Sequence, residues 1–407
     1  MKKILIWNSF PLKERSGGPP TYLYNLSQGL CSINNVEKIQ VVFLGDLLKK
    51  NGSSAGNGSV NYGNELNLLQ YVRRFLPRVF VNNIRFMKFL MLLRHHVPSL
   101  SVKEINEFDG IHFHTSLDVY KNRNILKQFK GKVFLTSHSP EPSWIEAIEA
   151  HYNLTLNEIL PSFKKQIEEA DIWGFKRANK LIFPCNEAIE PYLKWEKYKE
   201  EVHPLAKYAY IVSGIAKAEF KLDRRDVRKE LNIPEDAIVF SYIGRHSSVK
   251  GYDLLRELGA HVLNNQPNIY FLVAGKEEPL KGVNHKNWIE VGWTNDPHSF
   301  VNASDVFILP NRQTYFDLVL LEVMSLGKPV ILSDTGGNKH FKKYKAPGLI
   351  FFESNNLDSL KEVLQKTIEC RGNLEAMGAS NQRLFNDNFN ISEFTHNYIE
   401  LFSHLLN

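Results

Sequence analysis

The amino-acid sequence predicts an α/β protein of two Rossmann-like domains, with parallel sheets facing each other across a cleft. Two observations carry this. A chain of 407 residues is too long for one ordinary core and suits two domains of roughly 200 residues each. Along it, short apolar runs rich in Val, Ile and Phe alternate with amphipathic stretches of helical length, the pattern of βα units that build parallel sheets.

In the first half, strands are predicted over residues 4–7, 40–44, 110–114, 133–136 and 181–184. In the second half they are predicted over 238–243, 269–274, 288–291, 306–309 and 330–332. Helices fit between them over 19–30, 252–263, 297–302 and 318–326. Pro19 and Pro20 open the first of these, where a missing N–H costs nothing. Residues 51–64 read as a flexible polar loop. The domain boundary falls near residues 211–215, which gives a first domain over 1–212 and a second over 213–389. A last segment, 390–407, reads as an amphipathic helix through Phe394, Tyr398, Leu401, Phe402 and Leu405. It is expected to pack back on the first domain.

The composition, 43% hydrophobic and 23% charged, is that of a soluble globular chain. Net charge is +6, and it is unevenly spread. No acidic residue stands between Leu66 and Lys103, while Arg73, Arg74, Arg78, Arg85, Lys88 and Arg94 all do. Local charge of this kind attracts anionic lipid, polyphosphate or nucleic acid. Cys31, Cys185 and Cys370 are far apart, which argues against a disulfide framework and for a reducing compartment. The basic, then apolar N-terminus is too short for a secretory leader and reads as a strand. The run Phe86–Leu93 is far below the roughly 20 residues that span a bilayer.

In open parallel sheets ligands bind beyond the carboxyl ends of the strands, so the loops there hold the candidate chemistry. After the first strand, Gly17 and Gly18 precede a helix start. Glycines let a backbone approach a phosphate, though a bare Gly-Gly is also a plain turn. It is not GxGxxG, which argues against a nicotinamide dehydrogenase. After the strand 238–243, Arg245 and Lys250 flank a short loop closed by Gly251. Two fixed cations there suit a diphosphate leaving group, against the plain alternative of solvated surface charge. After the strand 306–309, the N–H groups of Phe316, Asp317 and Leu318 open a helix that carries Glu322. Backbone donors there favour a phosphate, and Glu322, set among apolar residues, needs a partner and could accept from a ribose diol. His112 and His114 alternate on one strand and share a face, while His138 follows the next strand. These histidines read as a metal site, as buried or capping groups, or, with His138 foremost, as contacts to a reacting sugar. No carboxylate or Cys completes a metal set among them.

The segment Tyr242–Gly337 carries YIGRHSSVKG, YFLVAGKEE, WIEVGWTND, SDVFILPN and LLEVMSLGKPVILSDTGG in that order. With these motifs the chain resembles the retaining, nucleotide-sugar-dependent glycosyltransferases of the GT-B fold, known as glycosyltransferase group 1. The likeness runs over essentially the whole length. It implies that Arg245 and Lys250 hold the donor diphosphate and that Glu322, the second glutamate of a Glu-x7-Glu motif, binds the donor ribose. By the same resemblance His138 lies beside the anomeric centre, and Gly17–Gly18 reach the donor from the first domain. Gly275 and the stretch at Gly292, Trp293 and Thr294 would meet the base through backbone. Thr314, Phe316, Asp317, Leu318 and Val319 would line the rest of the donor site. Thr314 stands where the first glutamate is usual, and Asp317 where a glycine is. The first glutamate contacts sugar hydroxyls, so Asp317, or Gln313, is expected to supply the missing acceptor.

The resemblance implies front-face displacement with retention, the leaving diphosphate helping to deprotonate the acceptor hydroxyl. No Asp-x-Asp triplet occurs in the chain, so no metal and no cofactor is expected beyond the nucleotide-sugar substrate, with a UDP-sugar favoured. The saccharide acceptor is assigned to the first domain. Residues 71–96 mix cations with Phe, Leu and Met and read either as a core helix with a basic face or as a segment lying on an anionic membrane surface. On the second reading the acceptor is lipid-linked and the protein sits in the cytoplasm, peripheral on the inner face of the membrane. No nucleic-acid module is present, so nucleic acid is not an expected partner. Two rivals stay open: a catalytically weak homologue serving as a partner subunit or sugar-binding module, and a sugar-nucleotide epimerase of the same fold.

Overall fold

The structure is a computed structural model that describes residues 1–10, 12–13, 18–32, 38–50 and 76–407. The described chain groups into two compact units. Met1–Phe183, Ile189–Ile211 and His396–Asn407 form the first, and Pro184–Ala188 with Val212–Thr395 form the second.

The first unit holds β1 (Lys2–Trp7), β2 (Ile39–Phe43), β3 (Gly110–Phe113), β4 (Lys132–Thr136), β5 (Lys180–Phe183) and β6 (Tyr208–Tyr210). Their order is β2-β1-β3-β4-β5-β6, with every pairing parallel. Sheets of this kind are covered on both faces, so central strands read as unbroken apolar runs. Ile4, Leu5 and Ile6 of β1 are accordingly buried, as are Val133, Phe134 and Leu135 of β4. Helix α1 (Gly18–Ser32) follows β1, and helix α2 (Arg78–Arg94) lies between β2 and β3 in the chain.

The second unit holds β7 (Ile238–Ile243), β8 (Ile269–Ala274), β9 (Trp288–Gly292), β10 (Val306–Leu309), β11 (Val330–Ser333) and β12 (Leu349–Phe352). Their order is β12-β11-β10-β7-β8-β9, again all parallel. Helices α3 (Tyr252–Leu263), α4 (Pro297–Ala303) and α5 (Leu318–Ser325) follow β7, β9 and β10. One face of the sheet packs Phe240, Tyr242, Leu255, Leu258 and Phe271 into a single apolar cluster.

In each sheet the chain begins near the middle, runs to one side, then crosses to the other. The crossing falls between β1 and β3 in the first unit and between β7 and β10 in the second. Such topological switch points leave a crevice outside the strand ends, the usual ligand position in open α/β sheets.

Helix α6 (Ile391–Leu406) ends the chain. From His396 onward it belongs to the first unit, where Phe402 meets Phe134 edge-on and Lys132 donates to the Leu405 carbonyl. Two strands, β6 and β12, stand beyond those the sequence predicted. They are edge strands of three and four residues. The predicted polar loop 51–64 and part of the basic segment, residues 71–75, lie outside the described residues.

Candidate active site

In the second unit the loops after β7, β8, β9, β10 and β11 leave the carboxyl ends of neighbouring strands, and backbone hydrogen bonds link them. After β7 the chain turns through residues 244–250 to Gly251, whose φ is +67° and where an added Cβ would stand 1.8 Å from the Pro310 carbonyl oxygen. Only glycine fits a left-handed position so close to another backbone. The β7 and β10 loops are therefore in direct contact, and the Arg312 N–H donates to the Val249 carbonyl at 3.0 Å. After β11, Gly336 has φ +43° and an added Cβ would stand 2.1 Å from the Thr314 carbonyl oxygen. The Gly337 N–H donates to that carbonyl at 3.3 Å.

On this frame Lys250 and Asp317, two of the predicted residues, come together. Lys250 Nζ donates to Asp317 Oδ1 at 2.8 Å, and Asn311 Nδ2 donates to Asp317 Oδ2. Both carboxylate oxygens of Asp317 are thus engaged within the protein. Arg245 is exposed and makes no ion pair among the described residues, while its own carbonyl accepts from the Tyr242 hydroxyl at 2.8 Å. No described acceptor takes the N–H groups of Phe316, Asp317 or Leu318, so the start of α5 presents free donors. Thr314 and Phe316 are buried, and Leu318 and Val319 are half-buried. Gly275 donates its N–H to the Gly292 carbonyl at 2.9 Å, and the Thr294 hydroxyl accepts from the Asp296 N–H at 3.0 Å. These contacts fix the loops after β8 and β9.

Glu322 finds its partner in a residue that sequence reasoning missed. His298 on α4 faces Glu322 Oε2 at 3.1 Å through Nε2, and the Glu219 carbonyl at 3.0 Å through Nδ1. Both facing atoms are acceptors, so a ring N–H of His298 can be donated on either side. Glu322 Oε1 has no partner among the described residues and is the oxygen free for a ligand hydroxyl. Asn311 was also missed. It is fully buried, and its Oδ1 has no hydrogen-bond partner. The sequence signal for both is weak, since a lone His or Asn beside a strand or helix end is common. The need of an apolar-set Glu322 for a partner was the one hint.

In the first unit the histidines do converge. The rings of His112 and His114 lie 4.3 Å apart, and His114 Nδ1 is 2.9 Å from His138 Nε2. His112 is held at 2.8 Å by the Thr136 hydroxyl and at 3.0 Å by the Tyr398 hydroxyl on α6. Tyr22 of α1 meets the His138 ring edge-on at 4.8 Å. Burial disfavours the charged forms, and the neighbouring rings add to this for His112 and His114, so both titrate well below the ordinary histidine range. Burial alone pushes His138 down to about 3. These are neutral rings at physiological pH, able to donate or accept one hydrogen bond but poorly suited to take up a proton. Gly18 lies beside this group, with an added Cβ 4.0 Å from the His138 carbonyl oxygen. Gly17 is outside the described residues.

Two six-stranded parallel α/β units with polar groups gathered at their switch points define the class as GT-B. Residues 223–384 match the model of the family described as glycosyl transferases group 1. That segment of the second unit is thus similar to the family, and the two-unit parallel architecture is that of the GT-B fold. Among similar curated proteins is the Escherichia coli UDP-Gal:alpha-D-GlcNAc-diphosphoundecaprenol alpha-1,3-galactosyltransferase, 27% identical over 213 residues, covering 49% of this chain and 54% of that protein. The Staphylococcus aureus capsular polysaccharide biosynthesis glycosyltransferase CapM is 23% identical over 327 residues, covering 72% and 85%. In fold, Anabaena HepE, solved in complex with UDP and glucose, matches with TM-score 0.61 at 14% identity over 99% of this chain and 100% of that one. The chain spans about half the length of the first curated relatives it matches.

Proposed function

We propose that the protein transfers a sugar from a nucleoside diphosphate donor to a saccharide acceptor during assembly of a cell-surface glycan. The observation that carries this is the contact of Lys250 with Asp317, which ties the loop after β7 to the start of α5, the helix that carries Glu322, within the segment that matches the group 1 model. Arg245 and Lys250 stabilise the diphosphate as charge develops on it, together with the free N–H groups that open α5. Glu322, oriented by His298, accepts from the ribose diol through Oε1. Relatives named for O-antigen, lipopolysaccharide and capsular polysaccharide synthesis support the glycan class of acceptor. The galactosyltransferase named for UDP-Gal supports UDP as the nucleotide.

The finer reading is displacement with retention, the leaving diphosphate accepting the acceptor's proton and side-chain cations serving where a divalent metal would otherwise bridge. His138 takes the part of a neutral hydrogen-bonding contact to the sugar. The acceptor is lipid-linked and the protein lies on the cytoplasmic face of a membrane. For this α2 is the support: Phe80, Ile84, Met87 and Met91 are exposed at helical spacing, and Arg78, Lys88 and Arg94 share the helix. Among the described residues no helix is long and apolar enough to cross a membrane.

The test is to incubate the purified protein with UDP-, GDP- and ADP-sugars and undecaprenyl-diphosphate saccharides, following nucleotide release and the anomeric proton of the product by NMR. Release from one donor with an unchanged anomeric configuration is expected. Inversion would overturn the retaining step. Tight nucleotide binding without transfer to any acceptor would favour a sugar-binding module.

A further inference from the structure

Apart from Lys250 and Glu322, a largely buried cluster in the second unit combines sulfur, imidazole and carboxylate. Cys185 and Glu187 lie on the segment Pro184–Ala188, and His340 lies in the 3-10 turn Gly336–Tyr344. One ligand-type atom from each falls within 4.8 Å of the other two. His340 Nδ1 stands 3.5 Å from Glu187 Oε2, and His340 Nε2 is buried with no hydrogen-bond partner. The His340 side chain is only 9% exposed. A buried ring nitrogen without a partner among the described residues carries a cost, and Cys185, a thiol outside any disulfide and 3% exposed, adds a second ligand atom.

We infer that Cys185, Glu187 and His340 form a binding site for one divalent cation of the zinc class. The donor set suits such an ion, which takes thiolate, imidazole and carboxylate at about 2.0–2.3 Å and commonly keeps a fourth position for water. Charge balance favours it as well. A thiolate and a carboxylate neutralise a divalent ion, so the completed centre carries no net charge into its apolar setting of Phe316, Phe341 and Tyr344, which pack on the His340 ring. A thiol binds such an ion as thiolate, so binding would release the Cys185 proton. The same turn begins at Gly336 and Gly337, pressed on the carbonyls of Thr314 and Tyr315. The ion would clamp that turn, a role separate from the diphosphate loops.

The experiment is a cobalt(II) titration of the metal-stripped full-length protein, with Cys31 and Cys370, both exposed, replaced by Ser. One equivalent of cobalt should give a thiolate-to-cobalt charge-transfer band. Cys185→Ser should abolish the band, and His340→Gln should weaken binding by at least about tenfold. Glu187→Gln, at a partly exposed position that keeps thiol and ring in place, should weaken it similarly. If Cys185→Ser does not fold, the Glu187→Gln titration decides. No band, a band that survives Cys185→Ser, or unchanged affinity in Glu187→Gln would overturn the site.

Discussion

The switch point of the second sheet is built around charged groups held by side-chain partners: Lys250 with Asp317, and the Glu322 carboxylate with the His298 ring. That of the first sheet is built from neutral ones, a chain of imidazoles closed by Thr136 and Tyr398. The position in the fold is the same and the chemistry opposite. Under the proposed function these charge partners would be exchanged: a diphosphate would take Lys250 from Asp317, and a ribose would use the Glu322 oxygen that has no partner among the described residues. The neutral group at the first sheet has no such exchange to make. It is fixed by burial, offers a shaped polar wall, and stays uncharged while charge moves elsewhere. A transferase with a leaving diphosphate needs both kinds of surface.

The largest expected effect is at Lys250. Lys250→Ala should lower turnover on the order of 100-fold, the usual loss for one preorganised contact to developing charge, read from initial rates under saturating donor. Asp317 sharpens this. Asp317→Ala should also lower turnover, but the double variant should be no worse than Lys250→Ala alone, because the two act as one unit. Additive losses would mean that Asp317 touches the donor independently, as the expected acceptor for sugar hydroxyls. Next is Glu322→Gln, which keeps the side-chain shape and loses the charge facing His298. An increase of roughly tenfold in donor KM with little change in kcat is expected, as for a lost binding contact of about 1.4 kcal/mol.

The first unit should respond to pH through stability. Its histidines are neutral when folded, and His138 titrates about 3 against an ordinary 6.5. The unfolded chain thus binds more protons below 6.5, so stability is complete above that value and is lost as pH falls towards 3. For His138 alone the loss reaches about 2 kcal/mol by pH 5. Thermal melts from pH 7 to 5 should show the decline, and His138→Gln should flatten it. An unchanged slope would contradict the neutral-wall account. The smallest effect on stability is at α2. Phe80→Ser with Met91→Ser should leave the melting temperature nearly unchanged, since exposed positions usually contribute within about 0.5 kcal/mol. Sedimentation with anionic vesicles should nevertheless fall.

How much of this the sequence revealed follows the same contrast. The second site was legible because its parts are local: a strand, a short loop with cations, a helix start, each readable in a few residues. Lys250 and Glu322 were found so. Their partners were not, because Asn311 and His298 become relevant only when separate βα units are brought side by side. Asp317 shows the limit most clearly. Its substitution for glycine was visible, but its engagement by both Lys250 and Asn311 needed the fold. In the first unit strand alternation placed His112 and His114 on one face, yet nothing in the sequence told of Tyr398 completing the group from the chain's far end. β6 and β12 escaped; both stand at a sheet edge, and β6 is the pattern YAY, which lacks the unbroken Val, Ile and Leu run of a central strand.

The account turns on a nucleotide site in the second unit, and calorimetric titration of UDP, GDP and ADP, with and without EDTA, addresses it most directly. One nucleotide, UDP, should bind with the same affinity in EDTA, and Lys250→Ala and Glu322→Ala should each lose that heat. Binding that vanishes in EDTA, or that survives both substitutions, would contradict the proposal that these side chains, and not a metal, hold the donor.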